Sequence, residues 1–141
     1  MNSTLLYLDA SGLVKLVRAE AETTRLFGFL QDWPVRVSSV IARVEVLRAV
    51  RRVASDTTTY RRAEEVLLRV GLIALDETIL EGAGRSEPPE LRSLDAIHLA
   101  TAVTVRNDLG GIVTYDIRLA EAARRAGFPV FAPGAASLQR P

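Results

Sequence analysis

Thr4-Leu5-Leu6-Tyr7-Leu8-Asp9-Ala10-Ser11 begins with an apolar run that stops at a carboxylate, and the residues after it place Leu13, Val14, Leu16 and Val17 at helical spacing. The run reads as a short buried strand, and the segment after it as an amphipathic helix capped by Ser11. A strand feeding straight into a helix is the start of an α/β unit, and the alternation recurs down the chain. A helix is expected over Glu22 to Gln31 with Leu26, Phe27 and Leu30 inward, then a break at Trp33-Pro34 and a strand from Val35 to Ser38. Ser38 or Ser39 caps the next helix, which runs to about Ala54 with Ile41, Val44, Leu47 and Val50 as its apolar positions. The turn-like Ser55-Asp56-Thr57 leads into a helix from Tyr60 to Val70, so the two helices make a hairpin.

Gly71 fits a C-cap, Leu72 to Leu75 a short strand, and Asp76 an N-cap for a helix from Glu77 to about Gly84. Beyond a loop at Pro88-Pro89 come a helix from Leu91 to Arg106, a turn at Gly110-Gly111 and a strand from Ile112 to Thr114. A helix from Ile117 to Ala126 stops at Gly127, Val130 to Ala132 forms the last strand, and the tail from Pro133 frays. The expected fold is α/β, a three-layer sandwich with a central parallel sheet flanked by helices. No composition shift or internal repeat divides residues 1–141, which read as a single domain.

Composition narrows the chemistry. The 141 residues are 48% hydrophobic, enough for a sizeable core, and 18 basic against 17 acidic side chains leave a net charge of +1, so any basic footprint for nucleic acid must be local. The absence of cysteine excludes disulfides, thiolate catalysis and thiolate metal sites, so a metal would be oxygen-bound. The start lacks the charged and apolar regions of a secretory leader, and no apolar stretch approaches the roughly 20 residues of a membrane span. The expectation is a soluble, cytoplasmic protein with no membrane association.

Four acids lie inside or beside apolar segments: Asp9 after Leu8, Glu45 between Val44 and Val46, Asp95 between Leu94 and Ala96, and Asp116 after Tyr115. An ionised carboxylate beside a core loses several kcal/mol of hydration (roughly, per ion) unless a cation or strong hydrogen bonds replace it. Lys15 is the single lysine, and the arginines mostly fall on faces that read as solvated, which leaves a divalent metal as the economical partner. In open parallel sheets ligands bind beyond the carboxyl ends of the strands, where Asp9 and Asp116 fall. Each acid also has an ordinary structural alternative that stays open at this stage. Asp9 and Asp116 suit helix N-caps, Glu45 can pair with Arg48 or Arg52, and Asp95 sits where a helix dipole favours an anion. His98, the only histidine, reads as a packed, hydrogen-bonded side chain and is assigned no chemistry.

Taken together and in this order, the segments resemble the PIN-domain nucleases and, within them, the VapC-type toxins of bacterial toxin–antitoxin systems. The resemblance is carried by Tyr7-Leu8-Asp9-Ala10-Ser11, by Ser38 to Glu45 with Leu47-Arg48-Ala49, by Leu94-Asp95-Ala96-Ile97-His98-Leu99-Ala100-Thr101-Ala102, and by Thr114-Tyr115-Asp116 with Leu119-Ala120 and Ala123. It implies a PIN-like fold and an endoribonuclease using Mg²⁺ or Mn²⁺, with Asp9, Asp95 and Asp116 as metal ligands and Glu45 completing the catalytic acids. It implies further that Ser11 and Thr114 support the site, that the protein is a homodimer, and that a cognate VapB-like antitoxin neutralises it by covering the acidic crevice. Capping for Ser11 and strand propensity for Thr114 are equally good readings. Arg43, Arg48, Arg51 and Arg52 are candidate phosphate contacts, but their spacing wraps around one helix and no RNA-binding residue is singled out. Two rivals remain: a receiver-like or phosphatase-like domain that takes a phosphoryl group on aspartate, and a non-catalytic RNA-binding module whose acids are caps and ion pairs. The first would need neighbouring acids after one strand and a late basic partner, whereas Asp9 is followed by Ala10-Ser11.

Overall fold

Leu6, Tyr7 and Leu8 are fully buried, as a strand covered on both faces requires. They belong to β1 (Leu5–Leu8), the central strand of a five-stranded parallel sheet in the computed structural model, which describes residues 5–53 and 56–135. The chain continues through α1 (Ala10–Val17), α2 (Thr23–Leu30), β2 (Val35–Ser39), α3 (Ile41–Val53), α4 (Thr57–Leu68), β3 (Gly71–Ile73) and α5 (Glu77–Gly84). It ends with α6 (Ser93–Thr104), a 3-10 turn at Arg106–Asp108, β4 (Leu109–Val113), α7 (Ile117–Arg125) and β5 (Val130–Phe131). The strand order is β3-β2-β1-β4-β5. Connections therefore run to one side of β1 and then cross to the other, which opens a crevice between the carboxyl ends of β1 and β4.

Side-chain alternation along β1 builds the three layers. Leu6 and Leu8 pack with Leu13, Leu26, Val46 and Val50 from the α1–α4 side, and Tyr7 packs with Leu99, Ala102 and Leu119 from the α6–α7 side. The α/β sandwich and its parallel sheet are as expected.

Several local expectations are corrected. Ser11 does not cap α1, because Asp9 does, its carboxylate accepting from the Gly12 amide. Phe27 is exposed, whereas Leu26 and Leu30 face the core. On α3 the buried stripe is Ala42, Val46 and Val50, with Val44 60% exposed, because apolar residues occupy both the three- and four-residue spacings and only packing chooses between them. Gly71 starts β3 and is no C-cap, that position being filled by Arg69. Helix α6 ends at Thr104, short of Arg106. The tail expected to fray from Pro133 is instead bonded at Pro133, whose carbonyl accepts from the Tyr115 hydroxyl, and at Ala135, whose amide donates to the Ala132 carbonyl, while Thr4, Ala54, Ser55 and residues 136–141 lie outside the described residues.

Gly110-Gly111 is not a turn but part of β4. Pairing of β4 with β5 brings the neighbouring chain so close that a Cβ on Gly111 would overlap the Phe131 ring and lie 3.0 Å from the Pro129 carbonyl oxygen. Phe131 is packed against Phe29 and Trp33 at centroid distances of 5.0 and 6.0 Å, so moving its ring away disturbs both contacts. Gly111→Ala is accordingly expected to destabilise the fold by about 1–3 kcal/mol, the usual cost of overpacking, measured by urea denaturation. An alanine variant as stable as the parent would show that β5 packs elsewhere.

Candidate active site

Asp9 is 3% exposed at the carboxyl end of β1. Its Oδ1 accepts from the Ser11 hydroxyl at 2.6 Å and the Gly12 amide at 3.1 Å, and its Oδ2 accepts from the Thr114 hydroxyl at 2.7 Å. Bonds of this kind contribute roughly 1.5–3 kcal/mol each, comparable with the cost of taking the charge out of water. Burial still wins: it raises the Asp9 pKa above the ordinary carboxylate value, against the opposing pulls of His98, Ser11, Thr114 and Gly12. A carboxylate has about four acceptor positions, and three are used here, so Asp9 keeps capacity for one further donor or cation.

Thr114, fully buried just after β4, is the hub of this arrangement. While donating to Asp9 it accepts from the Asp116 amide at 3.1 Å, and its oxygen lies 3.4 Å from that of Ser11. Ser11 in turn accepts from the Tyr115 amide at 2.9 Å. Two small hydroxyls thus fix the β1–α1 and β4–α7 junctions to each other. Asp116 caps α7 through the Leu119 amide with Oδ1, which leaves Oδ2 directed elsewhere.

That second oxygen accepts from Arg92 at 2.8 Å, and the same guanidinium lies 3.4 Å from Asp95 in the first turn of α6. Sequence reasoning missed Arg92, having placed the arginines on solvated faces. Arg92 is indeed 65% exposed, so its pairs are worth about 0–1 kcal/mol and are readily exchanged. The Asp95 side chain is only 13% exposed. Its pKa is raised, first by burial and then by the charge of Asp116, with Arg92 pulling the other way and Asp9 adding to the rise. One exposed guanidinium does not neutralise the cluster.

Glu45, on α3, lines a crevice with Ser11, Lys15, Arg52 and Tyr115, next to the junctions that carry Asp9 and Asp116. It pairs with neither Arg48 nor Arg52: its Oε1 lies 2.7 Å from His98 Nε2, and His98 Nδ1 lies 2.7 Å from the Tyr7 hydroxyl. His98 is buried and hydrogen-bonded, as expected. Burial raises the Tyr7 pKa well above the ordinary phenol value. Lys15 is engaged by Glu20 and Glu22, both at 2.8 Å, and stacks over the Tyr115 ring, so it neutralises none of the four acids. Arg43, Arg48, Arg51 and Arg52 are all exposed, and of them Arg52 lines the crevice.

The donor set is hard oxygen carrying excess negative charge, which suits Mg²⁺ or Mn²⁺ in kind. Among the described residues no group of three or more acids or histidines is close enough to form a ready-made metal cage.

The PIN domain profile matches residues 6–125, spanning all four acids. The chain belongs to the PIN-domain family. Its VapC branch follows from relatives aligned over nearly their whole length. The chain is 41% identical over 128 residues to Ribonuclease VapC46 of Mycobacterium tuberculosis, covering 91% of this chain and 97% of that one. It is 40% identical over 139 residues to Ribonuclease VapC35 of the same species, covering 94% and 99%. Among solved structures, a toxin–antitoxin complex from Klebsiella pneumoniae superposes with a TM-score of 0.68 at 24% identity, covering 91% of this chain and 97% of that one. M. tuberculosis VapC20, described as a sarcin–ricin loop cleaving toxin, gives 0.67 at 16% identity over 88% and 96%. At those identities the two structures speak for the PIN fold alone.

In this PIN domain the raised pKa of Asp9 fixes the sign of a pH effect. With the folded value above the unfolded one, near 3.8, the native state binds more protons between the two values, so this contribution is lost as pH rises through that window. Asp9→Asn keeps an acceptor for Ser11 and Gly12 and a donor for Thr114, but has no charge to desolvate. In EDTA its stability relative to the parent, from urea denaturation, is expected to grow as pH rises from about 4 to about 7. A pH-independent difference would mean that Asp9 is not strained.

Proposed function

We propose that this chain is a VapC-type endoribonuclease toxin that hydrolyses RNA phosphodiester bonds with Mg²⁺ or Mn²⁺ and is held inactive by a cognate VapB-like antitoxin. The observation that carries the reading is the buried, hydroxyl-held Asp9 beside the Asp95–Asp116 pair at the strand ends, in a chain about 40% identical to ribonucleases. Asp9, Asp95 and Asp116 would hold the cation, which when bound acidifies a water and offsets charge gathering on the phosphate. Ser11 and Thr114 hold the Asp9 carboxylate in one orientation. Glu45, on the opposite wall, supplies the fourth negative charge, suited to accepting a proton from the attacking water. Arg92, exposed and weakly paired, is free to turn from the acids to a phosphate once a cation replaces it, and Arg52 lies where a neighbouring phosphate would pass.

Phosphoryl transfer onto aspartate fits less well, because Asp9 is followed by Ala10-Ser11 and not by a second acid, and Lys15, the single lysine, is engaged by Glu20 and Glu22. A non-catalytic module would leave the charge surplus at Asp9 and Asp95 without purpose. No helix among the described residues is long and apolar enough to cross a membrane. A cytoplasmic homodimer facing cellular RNA completes the reading, on family grounds.

Purified protein freed of antitoxin is expected to cut RNA with Mg²⁺ or Mn²⁺ and to stop in EDTA. Asp116→Ala should lose more than about 100-fold, since an outer contact to a metal site already costs 10–100-fold. Cleavage that persists in EDTA, or in Asp116→Ala, would remove the assignment. Expression should also arrest growth, with relief on co-expression of the adjacent small antitoxin. Unhindered growth by cells holding soluble, RNA-cleaving protein would remove the toxin role while leaving the nuclease.

Asp95→Asn deletes charge at the most distinctive motif. Without metal it is expected to be at least as stable as the parent, to gain little stability from added Mg²⁺, and to lose cleavage, read by thermal melts with and without the ion. A variant that melts clearly lower yet cleaves and responds to Mg²⁺ would make Asp95 a helix-start anion only.

A further inference from the structure

His98 takes no part in holding a cation, yet it is 2% exposed and bonded through both ring nitrogens to groups from two other elements. On one side stands Tyr7 of β1, fully buried, and on the other Glu45 of α3, part of whose side chain faces the crevice beside Ser11. We propose that His98 is a positioning residue for Glu45, and that Tyr7 locks it in the tautomer that donates from Nε2 to the Glu45 carboxylate.

The donor and acceptor inventory leads there. A carboxylate only accepts, and a phenol carries its proton at neutral pH and is free to donate it. An imidazole between the two satisfies both by accepting at Nδ1 and donating at Nε2, which the neutral ring does in one tautomer only. The opposite tautomer would make the phenol accept from Nδ1 and turn its own buried proton elsewhere, and would leave Glu45 facing a bare nitrogen. Packing adds to the lock, since the Tyr7 and His98 rings meet edge to face at 5.8 Å and 82°. Among the described residues His98 is the one side chain hydrogen-bonded to Glu45. Glutamate has three free torsions, so an unheld Glu45 would sample many positions around the crevice. His98 also follows Asp95 by one helical turn on α6, so the same helix aims one acid and steadies another.

The role in catalysis rests on the endoribonuclease reading, but the tautomer does not, and the two are tested separately. Because the chain has one histidine, imidazole nitrogen NMR of tag-free, EDTA-treated protein reports on His98 alone. The expected spectrum shows Nε2 protonated and Nδ1 bare, and Tyr7→Phe, which deletes one buried oxygen, should yield a mixture of tautomers. A ring protonated at Nδ1 in the parent, or a spectrum untouched by Tyr7→Phe, overturns the lock. In Mg²⁺-dependent RNA cleavage, His98→Leu should lower kcat by about 10–100-fold with little change in KM, as loss of an outer contact to a metal site does. His98→Gln keeps an N–H able to reach Glu45 and should recover most of that loss. Equal kcat in the two variants overturns the positioning role. Should His98→Leu not fold, Tyr7→Phe carries the kinetic test, with a lowered kcat expected and an unchanged one overturning the role. A parent protein that cuts no RNA would instead count against the nuclease reading, while the NMR result would still decide the tautomer.

Discussion

Placing the Asp9 carboxylate in the interior, at the end of the central strand, is the constraint on which the rest of the site depends. Its charge is held by a hydroxyl from α1, a hydroxyl following β4 and the Gly12 amide in the first turn of α1. The Thr114 hydroxyl, together with the Tyr115 amide bonded to Ser11, binds the junction after β1 to the junction after β4, and so determines where Asp116 begins α7 and how the crevice is shaped. Burial nonetheless outweighs the hydrogen bonds. The result is a rigid but under-neutralised anion, which stores a demand for positive charge at one point of the surface.

Asp95 and Asp116 extend that demand outward. Arg92 meets it in part, but from an exposed position where solvent screens its charge. A deeply held arginine would have made the site more stable and closed it to any other cation. Sites that bind metal and substrate commonly give up stability in this way, keeping like charges together until the ligand arrives.

Aspartate caps show how local and tertiary information divide. Asp9, Asp56, Asp76 and Asp116 all cap helices with the same short bond from an amide to the carboxylate. Capping therefore says nothing about function, and as sequence features the four are equivalent. Burial separates them: Asp56 and Asp76 are exposed, whereas Asp9 lies in the core and Asp116 is partly covered. What pointed to Asp9 in the sequence was the apolar run before it. The same run located β1, and the small and apolar pattern from Leu94 to Ala102 located α6, whose residues from His98 to Ala102 are all buried. The α3 face was misassigned because two apolar spacings were present at once, and Gly110-Gly111 because a glycine required by a neighbouring strand looks the same in sequence as one required by a turn.

By itself the sequence determined the alternation of strands and helices, the parallel sheet, the four acids and, through their order, the family. Each of these is a short-range pattern, set by the period of an apolar stripe or by the residue that ends it. Only the tertiary structure decided that Thr114 joins Asp9 to Asp116, that Arg92 lies across Asp95 and Asp116, and that His98 ties Tyr7 to Glu45. Those contacts span 24 to 105 positions, apart from the local turns at Arg92–Asp95 and Thr114–Asp116. Hydrogen bonds at such separations leave no periodicity in the chain, since they exist only once the sheet has brought the ends of β1 and β4 together.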